Sequence, residues 1–371
     1  MIRGVLMIAI VGFSAYAQAA RPPVVVPRSA QTVVERLPSG YAGLEPAARL
    51  AQPSLGDARR LLATSAMTGD SRLATRADAI LAKFPRQTSS AELLRLRAFS
   101  AQHRHQFSTA VSLLDQLIAL EPRDGDARLS RAQIQMVRGD LNLARADCAA
   151  LALGVDSASG MLCAAALSLR RGNTSAASAF SEQWVSAIPD TDPRRRFGLV
   201  LRAESASRAG DADADAWFDK ALRLQPEDVR TLAAYSRHLR ASRRPAQALR
   251  LLARAPSTDG IHLERTLAAH AAGAPGARQL AQAQARRYAL AHKLGSTPEI
   301  RDEAEFELTI RGNADAALAL AIVNFRSQRD FEDVDLLRRA AIAAGKPEAL
   351  AVVDAWARSQ QLPATATGRA R

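Results

Sequence analysis

Apolar residues recur along most of this chain at spacings of three and four, which is the period of an amphipathic α-helix. The clearest example is the stretch 126–151, in which two short amphipathic segments meet at Gly139 and Asp140. Glycine commonly ends a helix because it adopts left-handed backbone angles without steric cost. The stretch therefore predicts two helices joined by a tight turn, and similar stretches lie on both sides of it.

The hairpin pattern repeats with a regular spacing. Each copy has a small residue in its first helix, a turn seven residues later and a second small residue about five residues further on, often followed by a proline that stops the second helix. After a looser first copy at Leu62, Gly69, Ala74 and Pro85, the copies are Ala98, His105, Ala110 and Pro122; Ala132, Gly139, Ala144 and Asp156; Ala165, Gly172, Ala177 and Pro189; Ala203, Gly210, Ala214 and Pro226; and Ser236, Arg243 and Ala248. The turns follow one another at intervals of 33 to 38 residues. Past residue 255 the spacing decays, but Gly273, Gly312 and Gly345 separate further helical stretches and predict three more hairpins.

This pattern resembles the tetratricopeptide repeat, a helix-turn-helix unit of about 34 residues. It departs from the family at Arg97 and Arg131, which stand where a large apolar residue is usual. The resemblance implies an all-α fold, an α-solenoid of stacked helix-turn-helix repeats wound into a right-handed superhelix. A generic array of helical hairpins is the alternative.

The chain is also similar to a group of exported bacterial tetratricopeptide proteins. The similarity rests on VVERLP at 33–38, GDSR at 69–72, ARADCAAL at 144–151 and NFRSQRDFEDVDLLRRAAIAAGKPEA at 324–349. It supports the fold and an exported location, and it supplies no activity to transfer.

The sequence divides the chain into five segments. Residues 1–19 have the parts of a secretory signal peptide: a basic Arg3, an apolar run at 5–13 and a small-x-small site that predicts cleavage after Ala19. An uncleaved anchor is the rival, but the run is shorter than a bilayer requires. We expect a periplasmic or secreted protein with no transmembrane segment after signal removal. The other segments are a proline-rich tether (20–53), tetratricopeptide-like repeats (54–257), degenerate C-terminal helical repeats (258–359) and a disordered tail (360–371).

Charge changes this picture little. The chain carries a formal net charge of +13, and lysine contributes only Lys83, Lys220, Lys293 and Lys346, so most basic residues are scattered arginines. No dense basic run with interleaved aromatics is present, as a nucleic-acid surface would need. We therefore expect no nucleic-acid partner, and a GC-rich coding bias accounts for the arginines. An acidic partner or an anionic envelope surface stays open.

The two cysteines, Cys148 and Cys163, lie at equal distances from a predicted interhelical turn at 154–157. Residues equidistant from such a turn lie at the same height on two antiparallel helices. We therefore predict a disulfide in an oxidising compartment, with two buried free thiols as the alternative.

Catalytic and metal-binding patterns are missing from the sequence. No phosphate-binding loop, nucleophile elbow or zinc-binding histidine motif occurs. His103 and His105 have no ligand frame, and the acidic run 302–307 fits a solvated helix face. The sequence predicts that the protein is not an enzyme and binds neither a cofactor nor a metal.

The remaining candidate is a groove. In tetratricopeptide arrays the first helices line a concave surface that contacts partner segments, and the resemblance places nine residues there. They are Arg95, Phe99, Gln102, Gln133, Met136, Arg170, Arg208, Arg237 and Arg240. Arginines on such a stripe favour an acidic peptide or a free C-terminus. We expect an exported scaffold for protein–protein interaction in the bacterial cell envelope, without catalysis; the alternative is a cell-wall or polysaccharide-associated assembly factor that binds glycan. The oligomeric state stays open.

Overall fold

The computed structural model describes residues 54–68, 71–85, 90–192, 194–293 and 299–363. The predicted signal peptide, the predicted tether and residues 364–371 of the predicted tail lie outside the described residues. Within the described ranges, all regular secondary structure is helical.

Eighteen α-helices follow one another along the described residues and form nine consecutive hairpins. They are α1 Leu55–Thr68, α2 Ser71–Leu81, α3 Ala91–His103, α4 Phe107–Leu120, α5 Gly125–Arg138, α6 Leu141–Ala150, α7 Ser157–Arg170, α8 Thr174–Ala187, α9 Arg195–Ala209, α10 Ala214–Leu224, α11 Val229–Ala241, α12 Pro245–Leu252, α13 Asp259–Ala271, α14 Ala277–Lys293, α15 Ile300–Thr309, α16 Ala314–Phe325, α17 Phe331–Ala343 and α18 Ala351–Ser359. A π-helical turn, Leu151–Val155, follows α6, and a 3₁₀ turn, Pro347–Leu350, precedes α18. In the first eight hairpins the first helix packs closely against its own second helix, and in the ninth the 3₁₀ turn lies between α17 and α18. The first helices of most successive hairpins also meet.

A left-handed residue marks the turn inside each hairpin from the second to the ninth. These residues, all with positive φ, are His105, Gly139, Gly172, Gly210, Arg243, Gly273, Gly312 and Gly345. The last three continue the register through the region where the sequence spacing decays. Left-handed geometry favours glycine because a Cβ adds steric cost, so His105 and Arg243 hold their turns at an energetic cost.

Small residues lie where the two helices of a hairpin cross. Ala98, Ala110, Ala132, Ala144, Ala165, Ala177, Ala203, Ala214, Ser236 and Ala248 are all buried. A small side chain allows two helix backbones to approach closely, and the apolar clusters then continue from hairpin to hairpin. The structure thus confirms the predicted all-α solenoid of tetratricopeptide-like repeats.

Two arginines that depart from the family pattern connect neighbouring helices. The Nη2 group of Arg97 donates to the carbonyl oxygen of Phe84 at 2.9 Å, just beyond the end of α2. Arg131 donates two bonds to the carboxylate of Asp147, at 2.8 and 2.6 Å. A guanidinium at this register position therefore supplies polar contacts between helices that an apolar residue cannot make.

Residues near the C-terminal end of the array contact the third hairpin. The Arg329 N–H donates to the Val137 carbonyl and its Nη1 to the Arg138 carbonyl, both at 2.7 Å. The indole Nε1 of Trp356 donates to the Gly139 carbonyl at 2.9 Å. A Cβ at Gly139 would lie 2.6 Å from that Nε1, so only glycine fits this contact. The residues just before α17 and the helix α18 therefore close the solenoid onto the turn between α5 and α6.

Within the described ranges, no helix combines the length and apolar character required to cross a bilayer.

Candidate functional site

Four of the predicted groove arginines lie on three successive first helices. Arg170 ends α7, Arg208 lies in the last turn of α9, and Arg237 and Arg240 lie on α11. Each of them meets a carboxylate of the same chain.

The first two of these arginines bind the residues that begin α17. Arg170 forms an ion pair with Asp330. Arg208 lies 3.4 Å from the carboxylate of Glu332, and its guanidinium lies over the ring of Phe331, 4.4 Å from the centroid. An arginine between a carboxylate and an aromatic face combines an ion pair with a cation–π contact. Asp330, Phe331 and Glu332 therefore contact the first two members of what we call the arginine stripe: Arg170, Arg208 and Arg237.

The α11 arginines converge on Glu264 of the neighbouring first helix α13. Arg237 lies 3.4 Å and Arg240 3.1 Å from its carboxylate, and the Ser236 hydroxyl donates to it at 3.0 Å. Glu264 is only 6% exposed, so these donors satisfy a buried carboxylate. This pair belongs to the packing of two adjacent repeats.

The other predicted groove residues do not form one continuous open surface. Arg95 pairs with Asp124, which caps α5, and Phe99 packs partly buried against the first core cluster. Gln102 is half-buried and Gln133 is exposed.

Met136 is 2% exposed and lies in the core cluster that includes both cysteines. Trp356 and Leu362, from the last helix and the residues after it, pack against this cluster. Met136 therefore lies in packed core, whereas the sequence register places it on an open groove surface.

The sequence pattern did not reveal how the acidic residues of α15 are buried and paired. The acidic run 302–307 is not a solvated face: Glu307 is 7% exposed and lies 3.1 Å from Arg311. Glu305 accepts a bond from Arg339 Nη1 at 3.2 Å. The helical period places alternate members of the run on different faces, but it does not reveal that first helices on both sides cover them.

Burial and nearby arginines change the pKa of several carboxyl groups on α15 and α17. Burial raises the pKa of Asp302 to about 7 and the pKa of Asp333 to about 6, although the nearby Arg301 opposes both shifts. Burial also acts to raise the pKa of Glu332, but Arg208, Arg237 and Arg170 hold that pKa well below its usual range. Glu332 thus stays ionised against these arginines, whereas burial raises the pKa of Asp330 despite its contact with Arg170. The arrangement can recognise charged groups.

A disulfide lies in the apolar cluster that contains Met136. Cys148 on α6 and Cys163 on α7 are joined, with their Cα atoms 5.3 Å apart, and both are buried. The bond links the third hairpin to the fourth, next to the turn that receives Arg329 and Trp356.

The tryptophans are engaged in packing. Trp184 is 2% exposed and donates to the Ala158 carbonyl at 2.7 Å, and Trp356 packs edge-on against Phe325. Trp217 lies beneath the cations of Lys220 and Arg202. Exposed aromatic platforms of the kind that glycan binding uses are therefore not formed by these three rings. Across the parts of the chain that the structure describes, no group of three or more His, Cys, Asp or Glu side chains is arranged to hold a metal ion.

The chain is similar to several solved structures at low sequence identity. The chain matches a chain of the APC/C hetero-tetramer Cut9-Hcn1 with a TM-score of 0.51 and 15% identity, over 84% of this chain and 61% of that one. It also matches a tetratricopeptide repeat protein from Parabacteroides merdae ATCC 43184 (TM-score 0.42, 16% identity, 67% of this chain and 98% of that one). A third match is the TPR domain of P58(IPK) (TM-score 0.22, 13% identity, 79% and 98%).

The chain spans less than two thirds of the length of the Cut9-Hcn1 chain that it matches. At these identities the similarity extends to the tetratricopeptide-like fold and no further. No protein-family profile matches the sequence, and no curated protein matches it.

Proposed function

We propose that this tetratricopeptide-like solenoid is an exported scaffold that binds protein segments in the bacterial cell envelope and has no catalytic activity of its own. The observation that carries the proposal is the arginine stripe of Arg170, Arg208 and Arg237 on successive first helices, in which Arg170 and Arg208 hold carboxylates from a distant part of the chain. A surface that holds carboxylates at several repeats suits an acidic segment or a free C-terminus, because guanidinium groups bind carboxylates through paired hydrogen bonds.

The exported location rests on two features. The sequence begins with a pattern typical of a cleavable signal, and a disulfide between Cys148 and Cys163 is stable in an oxidising compartment. N-terminal sequencing of the protein from the envelope fraction tests this part, with Ala20 expected as the first residue. Recovery of chains that keep Met1 would contradict export with cleavage.

The binding surface is tested by site-specific crosslinking in cells. Gln133 is exposed and stands six residues before its turn, as Arg237 does, so a photo-crosslinking residue at Gln133 reports on the first-helix face. Leu143, exposed on the second helix α6, provides the control position. We expect a discrete crosslinked protein from position 133 and not from position 143. The same products from both positions, or none from position 133, would count against binding at the first-helix face.

A further inference from the structure

The last residues before α17 and the first two residues of α17 contact three other hairpins. Residues 329–332, here called the closing segment, have the sequence Arg-Asp-Phe-Glu. Arg329 bonds two carbonyl oxygens at the end of α5, Asp330 pairs with Arg170 on α7, and Glu332 pairs with Arg208 on α9. The closing segment thus makes side-chain contact with helices that precede it by more than a hundred residues.

Helix α18 and the residues after it cover the adjoining part of the same face. Trp356 and Leu362 pack against the cluster that contains Met136, and the Gln360 carbonyl accepts a bond from Arg171 at 3.1 Å. The apolar and the basic parts of the groove predicted for the third to fifth hairpins are therefore both contacted by the C-terminal part of the chain. That part takes the place of a bound partner.

The closing contacts differ from the contacts between neighbouring repeats. In the described residues, the extensive close approaches of one helix backbone to another are between elements next to each other, or one apart, along the chain. The closure uses side chains and a few hydrogen bonds, and its ion pairs are mostly buried with partial access to water: Arg170 and Asp330 are 26% and 14% exposed, and Arg208 and Glu332 are 15% and 30% exposed. The polar contacts of the closing segment separate without unfolding a hairpin, whereas opening also withdraws Trp356, which packs against the apolar clusters at both ends, from the cluster around Met136.

We propose that the closing segment is an internal ligand of the arginine stripe, which an external protein segment must displace, and that this external segment carries two carboxylates flanking an aromatic residue. The inference rests on the scaffold function proposed above and names its partner class. The sequence of the closing segment supplies the description: Asp330 and Glu332 satisfy the guanidiniums, and Phe331 lies against Arg208. A partner with the same order of groups fits the same positions once the C-terminal part moves away.

The test uses the full mature chain and a fluorescein-labelled peptide with the sequence of residues 326–337, RSQRDFEDVDLL. Two variants open the closure in different ways. Glu332→Lys repels the arginine stripe, whereas Arg329→Ala removes the Nη1 bond to the Arg138 carbonyl, keeps the backbone bond to Val137 and leaves the carboxylates in place. Glu348→Lys, at an exposed acid on the 3₁₀ turn, is the matched charge control. Fluorescence anisotropy measures peptide affinity, circular dichroism verifies helix content, and small-angle scattering measures the radius of gyration.

We expect both opening variants to bind the peptide about fivefold more tightly than the native chain and Glu348→Lys do, with unchanged helix content and, because most molecules stay closed without peptide, an unchanged radius of gyration. Adding Arg208→Ala to Arg329→Ala removes the gain. Equal affinity in the native chain and both opening variants overturns the inference, as does binding by none of them. If Glu332→Lys loses helix content, Arg329→Ala decides alone.

The outcomes separate this inference from the scaffold proposal. A crosslinked partner at Gln133 without peptide binding by the opened chain leaves the scaffold and removes the internal ligand. Tighter peptide binding by the opened chain without any partner in cells leaves the internal ligand and removes the scaffold.

Discussion

Replacing Arg131 by leucine places the apolar residue that is usual in tetratricopeptide repeats at this position, and we expect the change to destabilise the protein. Arg131 donates two hydrogen bonds to Asp147 on α6 and a third to Asp115 on α4, the last at 2.5 Å. The side chain of Asp147 is only 3% exposed. Without the guanidinium, Asp147 keeps a buried carboxylate that has lost its two principal donors.

The magnitude follows from this burial. Removing one partner of a buried ion pair costs about 3–5 kcal/mol, because the other charge stays buried and uncompensated. Arg128 remains 3.6 Å from Asp147 and Arg131 is itself 20% exposed. We therefore expect Arg131→Leu to lower the free energy of unfolding by about 2–3 kcal/mol. Asp147→Leu costs about 1 kcal/mol or less, since Arg131 keeps its water and its bond to Asp115. The double variant recovers most of the loss, because it leaves no buried charge at this contact.

Urea unfolding followed by circular dichroism measures the four proteins of this double-mutant cycle. A repeat array can unfold in parts, so hydrogen exchange of the α6 amides supplies a local measurement. The reasoning is refuted if Asp147→Leu costs as much as Arg131→Leu, or if the double variant is the least stable of the four.

Three further predictions concern other parts of the array. Mass spectrometry of the non-reduced exported protein should find no alkylatable thiol at Cys148 or Cys163. Reduction should lower the free energy of unfolding by about 3 kcal/mol, as loop-closure entropy predicts for this separation. Two alkylated cysteines in the non-reduced protein would contradict the bridge. Because burial raises the pKa of Asp302, the folded chain binds a proton near neutral pH that the unfolded chain does not, so stability rises by up to about 1 kcal/mol as pH falls from about 8 to about 6. Asp302→Asn should reduce that slope in thermal melts, and an unchanged slope assigns the proton to another group. Arg243→Gly, at an exposed left-handed turn residue, should stabilise the protein by about 0.5–1 kcal/mol in the same melts. The control Arg250→Gly, inside α12, should destabilise it by about 1 kcal/mol. A loss of stability from both variants would show that the turn carries no strain.

The repeat architecture is predictable from the sequence because each hairpin is specified locally. The small residue, the turn and the second small residue lie within about a dozen residues of one another. A glycine such as Gly139 or Gly172 predicts the left-handed turn directly. His105 and Arg243 do not announce it, since neighbouring repeats impose their turn geometry. Even there, the register of the buried alanines places the turn correctly.

The candidate site is predictable only in part because its partners lie far apart in the chain. The resemblance to tetratricopeptide arrays places Arg170, Arg208 and Arg237 on one stripe, but the pairing of Arg170 with Asp330 depends on a curvature that accumulates over many repeats. A small rotation at each repeat decides whether the ends meet, and no local pattern encodes that sum. The burial of Met136 shares this dependence, because side chains beyond residue 350 pack against its cluster.

The closure also predicts how binding responds to salt. Two partly exposed ion pairs at about 0.5 kcal/mol each and four hydrogen bonds at about 0.5–1 kcal/mol each favour the closed chain by about 3 kcal/mol before the packing of Trp356 and Leu362 is added. The closure therefore lowers the apparent affinity for a partner at least about a hundredfold. Salt screens the ion pairs of the closing segment and those of an acidic partner alike. The native chain exchanges one set for the other, so its apparent affinity should depend weakly on ionic strength. In Glu332→Lys the internal competitor at Arg208 is gone, and peptide affinity should fall steeply as salt rises. Anisotropy titrations at several salt concentrations compare the two slopes, and a native slope as steep as that of the variant would mean that the partner does not displace the closing segment.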